Sequence, residues 1–264
     1  MLDLPRAAAL SALIGWNQTE ADWRLFATQG RVEALDDGGA ALAATAATLR
    51  YAPHLAWVSM VLVRPDLRRK GHATRLMRWA IESLAGTACI ALDATPAGRP
   101  VYERLGFAAR SGFARWRLPG VVAPSGVAVR PIRAEELPAV IARDAEAFGA
   151  PRTALLRDFF ARLPQAAFIA ADGSFVLARE GHRHPQIGPL VARDAATAQA
   201  LLAAAGAALA QPCLVDIRDT ATVLLASCVA AGGVAERPFT RMSLGGPLPG
   251  DSSLSPLLAG PEFG

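Results

Sequence analysis

A chain of 264 residues has room for two domains of ordinary size, and 52% hydrophobic with 19% charged residues excludes a disordered protein. A net charge of +4 does not point to nucleic acid: the cations are almost all arginine, Lys70 is the only lysine, and no basic run is interleaved with base-stacking aromatics. No signal peptide or apolar run of membrane-spanning length is read, so a cytoplasmic protein that engages neither membrane nor nucleic acid is expected.

The first elements are two helices within residues 6–29, broken at 15–19, where Asn17 or Thr19 can cap the second. Short strands follow near 31–35 and 40–50, joined by the hairpin signal Asp36-Asp37-Gly38-Gly39. WVSMVLV (57–63) reads as a buried strand, and 71–84 as a helix with Ala73, Leu76, Met77, Ala80, Ile81 and Leu84 on one face. CIALDA (89–94) is another buried strand, 100–105 a short helix and 106–118 a returning strand. PGVVAPSG (119–126), rich in proline and glycine, divides the chain. Beyond it come a strand at 127–132, helices at 135–148 and 152–163, and strands near 166–171, 174–179 and 186–192. A helix at 194–209, the strand CLVDI (213–217), a helix at 220–231 and a strand at 234–244 then complete a repeat of the first half's order. The ending, 247–264, reads as an extended tail.

Cys89, Cys213 and Cys228 lie in apolar segments without CxxC spacing and read as buried free thiols. His182 and His184, with no further cysteine or histidine nearby, read as part of a solvated turn, so no metal site is expected.

The chemistry concentrates in VLVRPDLRRKGHATRLMRWA (61–80). A helix N-terminus leaves backbone N–H groups without partners and holds the positive end of the helix dipole. Gly71, with small residues at 73 and 74, lets a bulky anion approach those groups, and Arg68, Arg69 and Lys70 place mobile positive charge around them. The spacing is neither that of a P-loop nor that of a dinucleotide-binding loop. Arg68-x-x-Gly71-x-Ala73 instead resembles the loop that binds the diphosphate of acetyl-CoA in the GNAT N-acetyltransferase family. Some thirty residues on, Tyr102-x-x-x-Gly106-Phe107 resembles a second signature of that family, again after a buried strand.

The resemblance implies an α/β (α+β) protein of two tandem GNAT-like domains, each a mixed, mostly antiparallel sheet flanked by helices. A catalytic domain is expected at 1–120, a second domain at 127–246 and the tail at 247–264. The implied reaction is direct attack of an amine, on a small molecule or a peptide, on the thioester of acetyl-CoA in a ternary complex. Val61, Leu62, Val63, Arg68, Arg69, Lys70, Gly71, His72, Ala73 and Thr74 would bind the donor, and Tyr102 would protonate the departing thiolate; a tyrosine packed at a helix end is the plainer reading. The strand 61–63 is implied to splay from its neighbour so that the pantetheine arm pairs with it. Glu103 and Asp93 are the carboxylates nearest the motifs, and neither is assigned as the base. Asn17, Gln18 and Trp23 either line the acceptor pocket or form a polar turn beside a hydrophobic staple.

The second half resembles the same family without its chemistry. Where the diphosphate loop belongs, the chain reads IGPLVARDAATAQALL, and Asp194 would cap its own helix and repel an anion. No tyrosine occurs in this half. It is expected to be a degenerate copy, and an acyl-CoA-binding module without catalysis is the alternative for the whole protein. Family members usually open with a strand ahead of the first helix, and MLDLP is short for one.

Overall fold

A computed structural model describes residues 2–264 of the protein. The chain starts with α1 (Leu4–Leu13), capped by the Asp3 carboxylate, which accepts from the Arg6 N–H at 3.1 Å. No strand precedes α1 among the described residues. In α2 (Glu20–Gln29), Thr19 and Asp22 form a reciprocal capping box, so the break lies where the sequence puts it. The hairpin that follows, β1 (Gly30–Leu35) and β2 (Ala44–Ala52), has a longer loop than the diglycine signal suggests. Asp36 and Asp37 are drawn outward to ion pairs with Arg6 and Arg64, which delays β2 by four residues. β3 (Leu55–Val63), α3 (His72–Ser83), β4 (Cys89–Ala94), α4 (Arg99–Arg104) and β5 (Ala108–Leu118) complete the first half.

After the linker come β6 (Val129–Pro131), α5 (Leu137–Phe148), α6 (Thr153–Arg162), β7 (Phe168–Ala170), β8 (Phe175–Arg179) and β9 (Gln186–Val191). The chain continues through α7 (Ala195–Leu209), β10 (Cys213–Arg218), α8 (Thr222–Ala230) and β11 (Val234–Gly245). All eleven strands form one sheet in the order β1-β2-β3-β4-β11-β5-β10-β9-β8-β7-β6. Only β3–β4 and β9–β10 are parallel; the other pairs are antiparallel.

The middle of that order joins the two halves. β11, from the second half, lies between β4 and β5 of the first, while β5 lies between β11 and β10. Each half therefore lends its last strand to the other's sheet. Alternate residues of β3 serve opposite faces, as strand geometry requires. Trp57 joins a core built with α1, α2, α5 and α6, whereas Ala56 and Val58 pack with Met77 and Ala80 of α3. α7 and α8 cover β8, β9 and β10.

One ion pair fastens the exchange. Arg241 of β11 holds both oxygens of Asp93 of β4, at 2.9 and 2.8 Å, with side chains 4% and 0% exposed. The guanidinium also lies 4.7 Å from the Trp57 ring. Such a pair is expensive to break from one side, because the partner is left charged, buried and alone.

The segment after β11 departs from the extended tail expected of it. Every residue from Leu257 to Gly264 is buried. β9 and β10 pair only at Gln186 and Ile187, and Leu257 bridges the wedge beyond, against Leu190 on one side and Ile217 on the other. Gly188 permits this approach, since a Cβ there would lie 2.0 Å from the Leu258 carbonyl oxygen. The segment then enters the first half's core: Trp57 donates to Pro261 O at 3.0 Å, Tyr51 to Phe263 O at 2.8 Å, and the Phe263 ring stacks on Phe26. Apolar leucines and phenylalanine explain why this run is drawn inward despite its prolines and glycines.

Because both halves share one sheet, thermal unfolding should be a single transition. Arg241→Ala should destabilise the fold by about 3–5 kcal/mol, the cost of stranding a buried carboxylate, and chemical denaturation will measure it.

Candidate active site

The parallel pairing of β3 with β4 is confined to Leu55, Ala56 and Trp57 opposite Cys89, Ile90 and Ala91. From Val58 onward the strands part, and the edge of β3 facing β4 has no strand partner. A bulge drives the separation. Between the pairs Thr45–Leu62 and Ala47–Ser59, β3 holds one residue more than β2, and Met60 sits at a φ of 52°, a conformation that costs a side-chain-bearing residue energy. Thr45 fixes it by donating to Met60 O at 2.9 Å. Strained backbone of this kind clusters at functional sites.

The wedge opens into a cavity of about 720 Å³. At one end stands the N-terminus of α3. Its first intrahelical backbone bond runs from Arg75 N to Gly71 O, and no side chain caps it, so the N–H groups of His72, Ala73 and Thr74 have no intrahelical acceptor. Gly71 lies at a φ of 83°, where a side chain would be strained even though the space around it is open. Arg64 is committed to Asp37 and Asp66, whereas Arg68, Arg69 and Lys70 have no ion-pair partner among the described residues. The result is an uncompensated positive cradle.

Tyr102 of α4 lines the same cavity. Its ring fits against Gly98, where a Cβ would come within 3.0 Å of it, and meets Phe107 edge-on. Burial pushes the phenol up to about 12, so it remains protonated at any working pH. Opposite the cradle the wall is formed by Ile14 and Trp16 from the α1–α2 loop, Arg237 of β11, and Pro261 and Glu262 of the C-terminal segment. Burial pushes the Arg237 guanidinium below its ordinary value; it sits 5.9 Å from the Trp16 ring.

Val61, Leu62, Val63, Arg68, Arg69, Gly71, His72, Ala73, Thr74 and Tyr102 all border this cavity, and Lys70 lies beside it, exposed. Asn17, Gln18 and Trp23 do not border it. Asn17 is buried and ties the second half's loop to the N-terminal helices, accepting from Arg183 N at 2.9 Å and donating to His184 O at 2.9 Å. Trp23 is a core residue whose indole donates to Ser11 Oγ at 3.0 Å. Gln18 is buried with neither end of its amide partnered among the described residues. The loop does reach the cavity, through Trp16, one residue earlier than sequence reasoning placed it. Glu103 is exposed and paired with Arg99 at 2.7 Å. Arg237 and Glu262 were missed because they arrive from the distant half; an acid between proline and phenylalanine at the end of an apolar run was the one available signal.

Residues 8–107 match a family model described as "Acetyltransferase (GNAT) family", and residues 140–254 match one described as "Acetyltransferase (GNAT) domain". The chain belongs to the GNAT acyltransferase family. A relative named holothin acyltransferase, from Pseudoalteromonas sp. (strain SANK 73390), is 30% identical over 183 residues, 66% of this chain; the match spans 60% of that protein's length. Among solved structures, a putative acetyltransferase from Pyrococcus horikoshii superposes with a TM-score of 0.82 at 18% identity, over 99% of this chain and 92% of that one. A tandem GNAT protein from the clavulanic acid biosynthesis pathway gives 0.61 at 16% identity, over 92% and 95%. At these identities the structures establish a shared fold.

The second GNAT unit has the same wedge but not the same vacancy. Its wedge is bridged by Leu257, and at the N-terminus of α7 the Asp194 carboxylate accepts from Thr197 N at 2.8 Å, a bond that holds it below the usual carboxylate range. An anion would meet a negative charge there. The second unit thus differs from the first in two physical respects, a filled wedge and a reversed charge.

Asn17 gives a direct check on its structural placement. Asn17→Ala should lower stability by about 1–3 kcal/mol, because buried backbone groups of residues 183 and 184 lose their partners, while Michaelis constants for an acceptor stay unchanged.

Proposed function

We propose that the protein is an N-acetyltransferase that moves the acetyl group of acetyl-CoA directly to an amine, on a small molecule or peptide, within a ternary complex. The observation that supports this best is convergence: an uncapped helix N-terminus under three unpaired cations, an unpartnered strand edge and a protonated phenol face one cavity. The pyrophosphate would sit on the N–H groups of His72, Ala73 and Thr74 with Arg68, Arg69 and Lys70 around it. The pantetheine arm would pair with residues 61–63 as an added strand, bringing the thioester toward Tyr102. We assign catalysis to residues 1–120, completed by β11 and the C-terminal segment, with residues 127–246 as the degenerate partner, and place the protein in the cytoplasm. No metal enters this reading.

Attack by an alkyl amine requires a free lone pair, and exposing it at neutral pH costs about 4–5 kcal/mol for an amine of pKa near 10.4. Tyr102 does not supply that deprotonation, since its own proton is held to about pH 12. It serves the other end of the reaction, donating to the sulfur as the C–S bond breaks. A phenol this weak surrenders its proton only when the amine proton leaves in the same event. The relative named holothin acyltransferase supports acyl transfer as the reaction class. Trp16 and Ile14 offer an apolar wall to the acceptor, and Arg237 offers a cation.

Isothermal titration should show one acetyl-CoA site per chain, lost in Gly71→Glu, which puts a carboxylate and a strained backbone where the diphosphate belongs. Two sites would contradict the degenerate second half, and no binding would overturn the reading. Against a panel of amines, Tyr102→Phe should lower kcat by about 10²–10⁴-fold, the usual worth of a general acid, with little change in acetyl-CoA affinity. Binding without turnover of any amine would leave a non-catalytic acyl-CoA module. Since activity needs the protonated phenol and is lost only as pH rises through about 12, Tyr102 should impose no alkaline fall in kcat up to pH 10.

A further inference from the structure

Acyl transfer to an amine leaves one proton too many on nitrogen, and the two carboxylates nearest the motifs are in no position to take it. Glu103 lies outside the cavity, paired with Arg99. Asp93 borders the cavity, but both of its oxygens accept from Arg241. The one other acid on the wall is Glu262. Its side chain is fully buried, and its two oxygens are treated differently. Oε1 accepts from Nη2 of Arg179, whereas Oε2 is buried with no hydrogen-bond partner among the described residues. A carboxylate oxygen accepts readily, and leaving one buried and bare costs about 1–3 kcal/mol or more. Bare polar atoms of this kind are rare in folded proteins. Glu262 borders the cavity, and a bare oxygen on such a residue calls for a donor that arrives with the substrate.

We infer that Glu262 is the catalytic residue that receives the amine proton, on Oε2. The inference rests on the N-acetyltransferase reading. Glu262 first takes a proton from the bound ammonium and hands it to solvent, which bares the lone pair. As the nitrogen forms the C–N bond and the C–S bond breaks, Glu262 takes the second, excess proton, and the Tyr102 phenol gives its proton to the departing sulfur. The proton on Glu262 then returns to the Tyr102 phenolate through solvent, so amide and free thiol leave an enzyme in its starting state. Arg179 is the positioning residue. It is 0% exposed, its Nη1 donates to Asp22 at 2.9 Å, and its guanidinium lies 5.6 and 5.3 Å from the rings of Phe159 and Phe263. Arg162 braces Asp22 from the other side at 2.8 Å. The base of the first half's reaction is thus held in register by an arginine of the second half, on β8.

The test is Glu262→Gln, which keeps an oxygen for Arg179 and removes the proton acceptor. With an alkyl amine that the wild type turns over, kcat at pH 7 should fall about 10²–10⁴-fold. Acetyl-CoA affinity should be retained, and the deficit should narrow as pH rises toward the acceptor's own pKa. A wild-type kcat, or a loss that is the same at every pH, overturns the assignment and leaves Glu262 a structural counter-ion. If that variant does not bind acetyl-CoA, Glu262→Asp replaces it with the same readouts, since it keeps the charge opposite Arg179 and withdraws the carboxylate by one methylene. A wild type that turns over no amine overturns the N-acetyltransferase reading itself and this inference with it.

Discussion

Neither half of this chain owns the strand that completes its sheet. β4 needs an antiparallel neighbour and receives β11, whose pairing runs from Ala94 with Thr240, 146 residues apart, to Cys89 with Gly245, 156 apart, a separation that spans the whole second half. β10 receives β5 in return. The exchange leaves no free edge at the centre of the sheet and brings Arg237 and the C-terminal segment to the first half's cavity. The arrangement makes the second GNAT unit part of the first unit's sheet and of its cavity wall.

The two units show how little separates an open site from a closed one. Both contain a parallel pair that parts after a few residues, followed by a helix aimed at the gap. In the first, the gap stays open, the helix begins at an uncapped glycine, and arginines gather around it. In the second, the chain's own segment around Leu257 lies where a ligand's extended arm would pair, and an aspartate occupies the helix N-terminus. Backbone geometry is common to both; charge sign and occupancy decide which can hold an anion.

Buried charge is used for placement. Asp93–Arg241, Asp216–Arg115 and the Arg162–Asp22–Arg179–Glu262 chain each join segments distant in sequence, while Asp144–Arg152 ties α5 to the start of α6. Pairs of this kind contribute little net stability compared with apolar packing, and specify which partners meet. Here they set the register of the exchanged strands and the orientation of the acid beside the cavity.

Local signals were legible where the physics is local. Apolar periodicity located nearly every helix and strand, Thr19 and Asp194 announced their caps, and Gly71 with Arg68, Arg69 and Tyr102 marked one wall of the site. Asn17 and Trp23 stayed open between a pocket and a polar turn because buried amides and indoles look the same in sequence whether they face a ligand or a neighbouring loop. The ending at 247–264 was read from its prolines and glycines, whereas its leucines and Phe263 had partners that only the folded chain supplies. By itself, then, the sequence determined the family, the order of elements and the gathering of cations at the start of α3, all of which depend on residues within a turn or two of one another. Which strand lies beside which, and which acids border the cavity, were decided by tertiary structure, because pairing and burial are properties of two surfaces and the sequence displays them one at a time.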